Sequence, residues 1–235
     1  MTVQEIMTDL KAHGSEGIKK ILLKHGVKEP FFGVKIEHLK PIQKKVKMDY
    51  QLAKDLYATG NADAMYLAGL IADDAKMTSA DLQTWVEMAV SNNISEYTVP
   101  WVAAEGEIGF EMALRWIESP VEYITAAGWS TLSNLVALKP DNELDKPALR
   151  ALLQRVVDNI HSAANRVKYT MNNFVIALGA YVPELTDEAM AAAEKIGTVM
   201  VNTEGTTCKV PYAGDYIKKA KDKGSLGKKK KTVKC

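Results

Sequence analysis

The sequence predicts an all-α protein, a superhelix of stacked antiparallel helix pairs, and three observations predict it. Apolar residues recur at spacings of three and four along nearly the whole chain, not at the spacing of two that marks a strand. The helical stretches run about 10 to 17 residues and are separated by turns of about two to six. Taken in pairs, they repeat roughly every 30 to 45 residues, the rhythm of a solenoid. With 235 residues, 47% hydrophobic and 25% charged, the chain can bury a sizeable core, which excludes disordered, collagen-like and disulfide-scaffold classes.

Each element has its own signal. Ile6 and Leu10, then Ile18, Ile21 and Leu22, form an opening pair split at His13-Gly14, with Ser15 placed to cap the second helix. Leu39, Ile42 and Val46 make a third amphipathic helix, and Tyr50 to Ala58 a short one that stops at Gly60-Asn61. Ala64 to Ala75 is apolar on nearly every side, the pattern of a buried helix. Helices over 80–90, Ser95 to Glu105 and Phe110 to Ile117 follow, then one with Pro120 in its first position that runs to about Ala137. Beyond Lys139-Pro140, helices cover 146–161, 165–181 and 185–199. Thr203 to Lys209 reads as a loop, and Tyr212 to Lys223 as a last amphipathic helix. The expected architecture is a HEAT/armadillo-like solenoid, one domain over 1–224 with a basic tail over 225–235.

The net charge of +1 hides a segregation. Residues 1–60 hold 11 Lys against 7 acidic residues and residues 205–235 hold 10 Lys against 2, which leaves 9 basic against 20 acidic residues between them. Lysine-rich ends point to a polyanionic partner, most simply nucleic acid, although a run such as Lys228 to Lys231 is also what a solvated tail looks like. No apolar stretch is long enough to span a bilayer and the first ten residues carry Glu5 and Asp9, so a cytoplasmic address with no membrane partner is expected. Cys208 and Cys235 are read as reduced thiols. The four histidines are scattered and neither a phosphate loop nor a Gly-x-Ser-x-Gly elbow occurs, so no metal or cofactor is expected.

Some helix faces carry more polar and aromatic residues than a solenoid core needs. Arg166, Tyr169 and Asn173 lie at i, i+3 and i+7, with Asn165 and Asn172 beside them; the face suits hydrogen bonding to a ligand, or equally a carboxylate partner for Arg166 and loop backbones for the asparagines. Tyr97, Trp101 and Glu105 recur every four residues on the Ser95 helix, and Trp129 lies on the Pro120 helix. A cleft lined by Trp101, Trp129 and Tyr169 with Glu105 and Arg166 would suit a nucleobase.

At Pro30-Phe31-Phe32-Gly33-Val34-Lys35-Ile36, with Leu39 and Lys40 following, the sequence resembles the entry motif of the DNA alkylation repair family, the AlkD-like, HEAT-like alkylpurine DNA glycosylases. The resemblance implies an all-α superhelix with a groove for duplex DNA and hydrolysis of the N-glycosidic bond of cationic alkylated purines. Where the family carries a catalytic Trp-x-x-x-Asp pair, this chain reads Glu96-Tyr97-Thr98-Val99-Pro100-Trp101, and the family's later arginine falls in Glu122-Tyr123-Ile124-Thr125-Ala126, which has none. Two readings follow. In the first, Glu105, Trp101 and Trp129 form a repositioned catalytic site, and Lys35, Lys40, Lys44, Arg166, Tyr169, Asn173, Lys228, Lys229 and Lys230 bind DNA, all within a monomer acting on alkylated bases in duplex DNA. In the second, the chain is a non-catalytic relative that binds DNA or protein on the same face.

Overall fold

The computed structural model describes residues 1–202 and 210–235. The loop expected over Thr203 to Lys209, with Cys208, lies outside the described residues. Among the described residues there are α-helices and short 3-10 or π turns but no strand. The helices are α1 (Val3–Ala12), α2 (Glu16–Lys24), α3 (Ile36–Val46), α4 (Tyr50–Tyr57), α5 (Ala62–Ile71), α6 (Ser79–Met88), α7 (Val99–Glu105), α8 (Gly109–Trp116), α9 (Glu122–Leu138), α10 (Lys146–Asn159), α11 (Asn165–Tyr181), α12 (Thr186–Ile196) and α13 (Ala213–Asp222).

Local chemistry explains most boundaries. Thr2 with Glu5 and Thr78 with Asp81 form reciprocal capping boxes at α1 and α6, and the Ser15 hydroxyl accepts from Ile18 N at α2. Among the elements whose bounds differ from the sequence reading, three have a clear local cause. The Asn61 side chain accepts from the N–H groups of Asp63 and Ala64, so α5 starts earlier than expected, and it ends at Ile71 before a separate turn at Asp74–Lys76. Pro120 lies outside α9, where the Ser119 hydroxyl accepts from Val121 N and the helix begins at Glu122. The helix expected from Ser95 is a π turn, Ile94–Thr98, followed by α7. Pro100 has no N–H to offer the Glu96 carbonyl, so the α ladder cannot run through that point.

Helices α5, α7, α9 and α11 pack in that order; the starts of α9 and α11 meet through Glu122 and Arg166, and one segment of chain reaches the C-terminal ends of all four, so they run parallel with α6, α8 and α10 as the returns between them. Helix α9 packs against α7, α8 and α11 and joins two halves of the core, with Ile124 and Ala127 in one half and Trp129, Leu132 and Val136 in the other. Close approach is needed on both sides of this layer. A Cβ at Gly128 would lie 2.7 Å from Ile117 Cγ2 and 2.9 Å from the Ala113 carbonyl oxygen of α8. One at Gly69 of α5 would lie 2.4 Å from Thr98 Cγ2 in the π turn.

Residues 225–235 return along the C-terminal edge of this layer. Gly227 N donates to Ala180 O of α11 at 2.9 Å and Lys230 N to Ala137 O of α9 at 2.8 Å. Lys229 Nζ donates to Val136 O and pairs with Asp141, both at 2.8 Å. Thr232 Oγ1 and Val233 N both donate to the Glu105 carboxylate at the end of α7, the latter at 2.9 Å. Lys234 Nζ reaches Asp74 at 2.7 Å and Ala72 O, just past α5, at 3.3 Å, and Lys40 Nζ donates to the Cys235 carbonyl. The strap therefore supplies donors and positive charge where four stacked helices end in unpaired carbonyls and the negative ends of their dipoles.

Candidate functional site

The entry motif is shaped by a buried acid. Gly33 has φ +77°, which turns three successive N–H groups inward. The Asp63 carboxylate at the start of α5 accepts from Phe32, Gly33 and Val34 at 2.6, 3.0 and 3.1 Å. Burial pushes the Asp63 carboxyl up, and these bonds oppose that shift. Lys19 pairs with Glu29 at 2.9 Å and lies 5.3 Å from the centre of the Phe31 ring. The motif fixes the path of the chain into α3 and with it one wall of an aromatic cavity.

That cavity, about 270 Å3, is lined by Tyr66 of α5, Asn93 just before the π turn, Tyr97 within it, Trp101 of α7, apolar residues of the first helices, and Cys235. The Tyr66 and Trp101 rings meet edge to face at 5.2 Å, and Tyr97 and Trp101 at 6.2 Å. Desolvation pushes both tyrosine hydroxyls up, so both stay protonated at neutral pH. Tyr97 is 45% exposed whereas Trp101 is buried, so Tyr97 is the open wall.

On the other side of Tyr97 lies an ion pair within the layer. Arg166 Nε donates to Glu96 Oε1 at 2.6 Å and its second guanidinium nitrogen to Oε2 at 2.5 Å. The Glu96 side chain is 2% exposed. Burial pushes its carboxyl up, and Arg166 holds it back down. The guanidinium lies 4.6 Å from the centre of the Tyr169 ring, Tyr169 is a neighbour that helps raise the Tyr97 hydroxyl, and Glu122 at the start of α9 accepts from Arg166 N at 2.6 Å. A run of neighbouring side chains thus leads from Tyr66 through Trp101, Tyr97 and Tyr169 to Arg166 and Glu96, with Trp101 and Glu96 buried and Tyr97 exposed.

The residues proposed from sequence are placed as follows. Trp101 and Trp129 line different cavities in different halves of the core, and Trp129 is 0% exposed against Phe174, so the expected common cleft with Glu105 is not formed. Glu105 binds the strap. Arg166 and Tyr169 belong to this run of side chains, and Asn173 is half-buried on the same helix. Asn172 and Asn165 hold the backbone at Pro211 and Asn202. Lys35 pairs with exposed Glu37, Lys40 holds Cys235, and Lys44, Lys228 and Lys230 are exposed, whereas Lys229 is tied to Val136 and Asp141. Sequence reasoning missed Glu96 as a site residue, although an acid among apolar neighbours from Ile94 to Val102 is the signal of a buried partner pair. Tyr66 and Asn93 gave no such signal.

The family model for DNA alkylation repair enzymes matches residues 6–217. The chain belongs to the DNA alkylation repair family. Two curated relatives in this comparison are uncharacterized proteins of Listeria innocua and Listeria monocytogenes. Each is 31% identical over 229 residues, covering 95% of this chain and 99% of its own. A solved structure described as "a new family of proteins related to the HEAT-like repeat DNA glycosylases with affinity for branched DNA structures" superposes with a TM-score of 0.92 at 37% identity over 100% of both chains. The alkylation repair chain described here therefore has the HEAT-like superhelix that its helix rhythm predicts.

Proposed function

We propose that this alkylation repair family member is a DNA-binding protein that recognises branched DNA along its parallel helix layer, as a monomer with no metal or cofactor. The DNA affinity of the structurally similar protein supports the partner class. The observation that carries the choice of binding over base excision is the state of the carboxylates. A glycosylase of this family needs one facing the sugar, where positive charge develops in the transition state. Glu105 is engaged by Thr232 and Val233, and Glu96 is buried in a bidentate pair with Arg166. Trp129, the other expected aromatic wall, is buried beside a different cavity from Trp101.

Exposed Lys44, Lys228, Lys230 and Lys35 remain as phosphate contacts, with Tyr97 and Tyr169 as the aromatic surface between the lysine-rich ends. The test is release of 3-methyladenine and 7-methylguanine from methylated duplex DNA, run beside a titration with the same duplex and with a fork. Tighter binding to the fork without base release is the expected result. Release that disappears in Glu105→Gln would instead establish the alkylpurine glycosylase reading.

A further inference from the structure

The aromatic cavity has features that packing alone does not require. It keeps about 270 Å3 of open space, just under the roughly 300 Å3 at which ordinary ligand pockets begin. Tyr66, Tyr97 and Trp101 give it ring walls in differing orientations, and one of them, Tyr97, is substantially exposed. Asn93, which also lines it, has a side-chain oxygen that is buried with no hydrogen-bond partner, a state that costs stability unless a donor fills it. The complement is one flat, unsaturated ring system with an N–H at its edge. That description fits a nucleobase and fits neither a phosphate nor an aliphatic side chain.

We propose that the cavity is a binding site for a single unpaired nucleobase, stacked on Tyr97 and donating a ring or exocyclic N–H to Asn93 Oδ1. The inference rests on the branched-DNA reading above and gives it a basis, since a branch point is where a duplex offers a base free of its partner at little unstacking cost. A linear duplex would have to break a pair to fill the site. Cys235 of the strap lies in the cavity lining and its carbonyl is held by Lys40, so the strap forms part of the rim. The neighbouring Arg166, 4.6 Å from the centre of the Tyr169 ring, and Tyr169 itself lie where the flanking nucleotides would pass.

The test uses the full chain and two forks, identical except that the branch-point nucleotide of one is abasic. Wild type is expected to bind the intact fork about ten-fold more tightly than the abasic one, the size of one base–aromatic stack. Tyr97→Ala should bind both forks with the weaker affinity, and Tyr97→Phe, which keeps the ring and the local packing, should behave as wild type. Equal wild-type affinity for the two forks overturns the base site while leaving branched-DNA binding intact. A Phe variant as weak as the Ala variant overturns the stacking role. No preference of wild type for either fork over duplex removes the branched-DNA reading, and the base site with it.

Discussion

Arg166 is the residue on which the candidate surface turns. Its guanidinium neutralises a carboxylate whose side chain is 2% exposed, so Arg166→Met would leave the Glu96 carboxyl buried without its partner and drive it to take up a proton. Breaking such a pair from one side costs about 3 kcal/mol, and the urea midpoint of Arg166→Met should fall accordingly with little change in slope. Asp74 offers a second test. Burial raises its carboxyl to about 6, and Lys234 opposes the rise. Because the folded value lies above the unfolded one, the ionised carboxylate costs stability above about pH 6, and that cost is relieved as pH falls through this value. Lys234→Ala removes the opposing charge, so the Asp74 carboxyl, followed by NMR, should titrate above about 6; an unchanged or lower midpoint would contradict the pairing.

The elements show what a linear pattern can and cannot carry. Helix α11 matches its expected range because the apolar residues Val167, Met171, Phe174, Val175 and Leu178 mark one face without interruption. The segment from Ser95 was misread because its apolar period is sound while its hydrogen-bond ladder is broken by one missing N–H at Pro100. The common cleft of Trp101, Trp129 and Glu105 was unreadable for a different reason: spacing fixes a side chain's position on its own helix, not which neighbour that face meets. The strap is the extreme case. Lys228 and Lys230 are exposed as a solvated run would be, but Lys229 and Lys234 are tied to Val136 O and Ala72 O and the Lys230 N–H to Ala137 O, backbone acceptors far away in sequence that no local pattern announces. Deletion from Lys228 onward should lower stability by about 2 kcal/mol, the lost hydrogen bonds being partly offset by the freed chain entropy, and thermal melting checks this. An unchanged melting temperature would mean that the strap contributes nothing to the helix ends.

At the scale of the whole molecule, the parallel layer has two different edges. One holds helix C-termini and is closed by the strap. The other gathers Glu96, Glu122, Arg166 and the tyrosines near helix N-termini. Lysines of the first three helices and of the strap flank the acidic centre, so phosphates are favoured at the ends and aromatic contact between them. Such a distribution suits DNA whose arms diverge better than a straight duplex laid across the middle. The most direct measurement is competition between a fork and a linear duplex of equal length for the full chain at physiological salt. The account predicts that the fork displaces the duplex with at least about ten-fold higher affinity and that binding to both weakens as salt rises. Equal affinity for fork and duplex, or binding indifferent to salt, would contradict it.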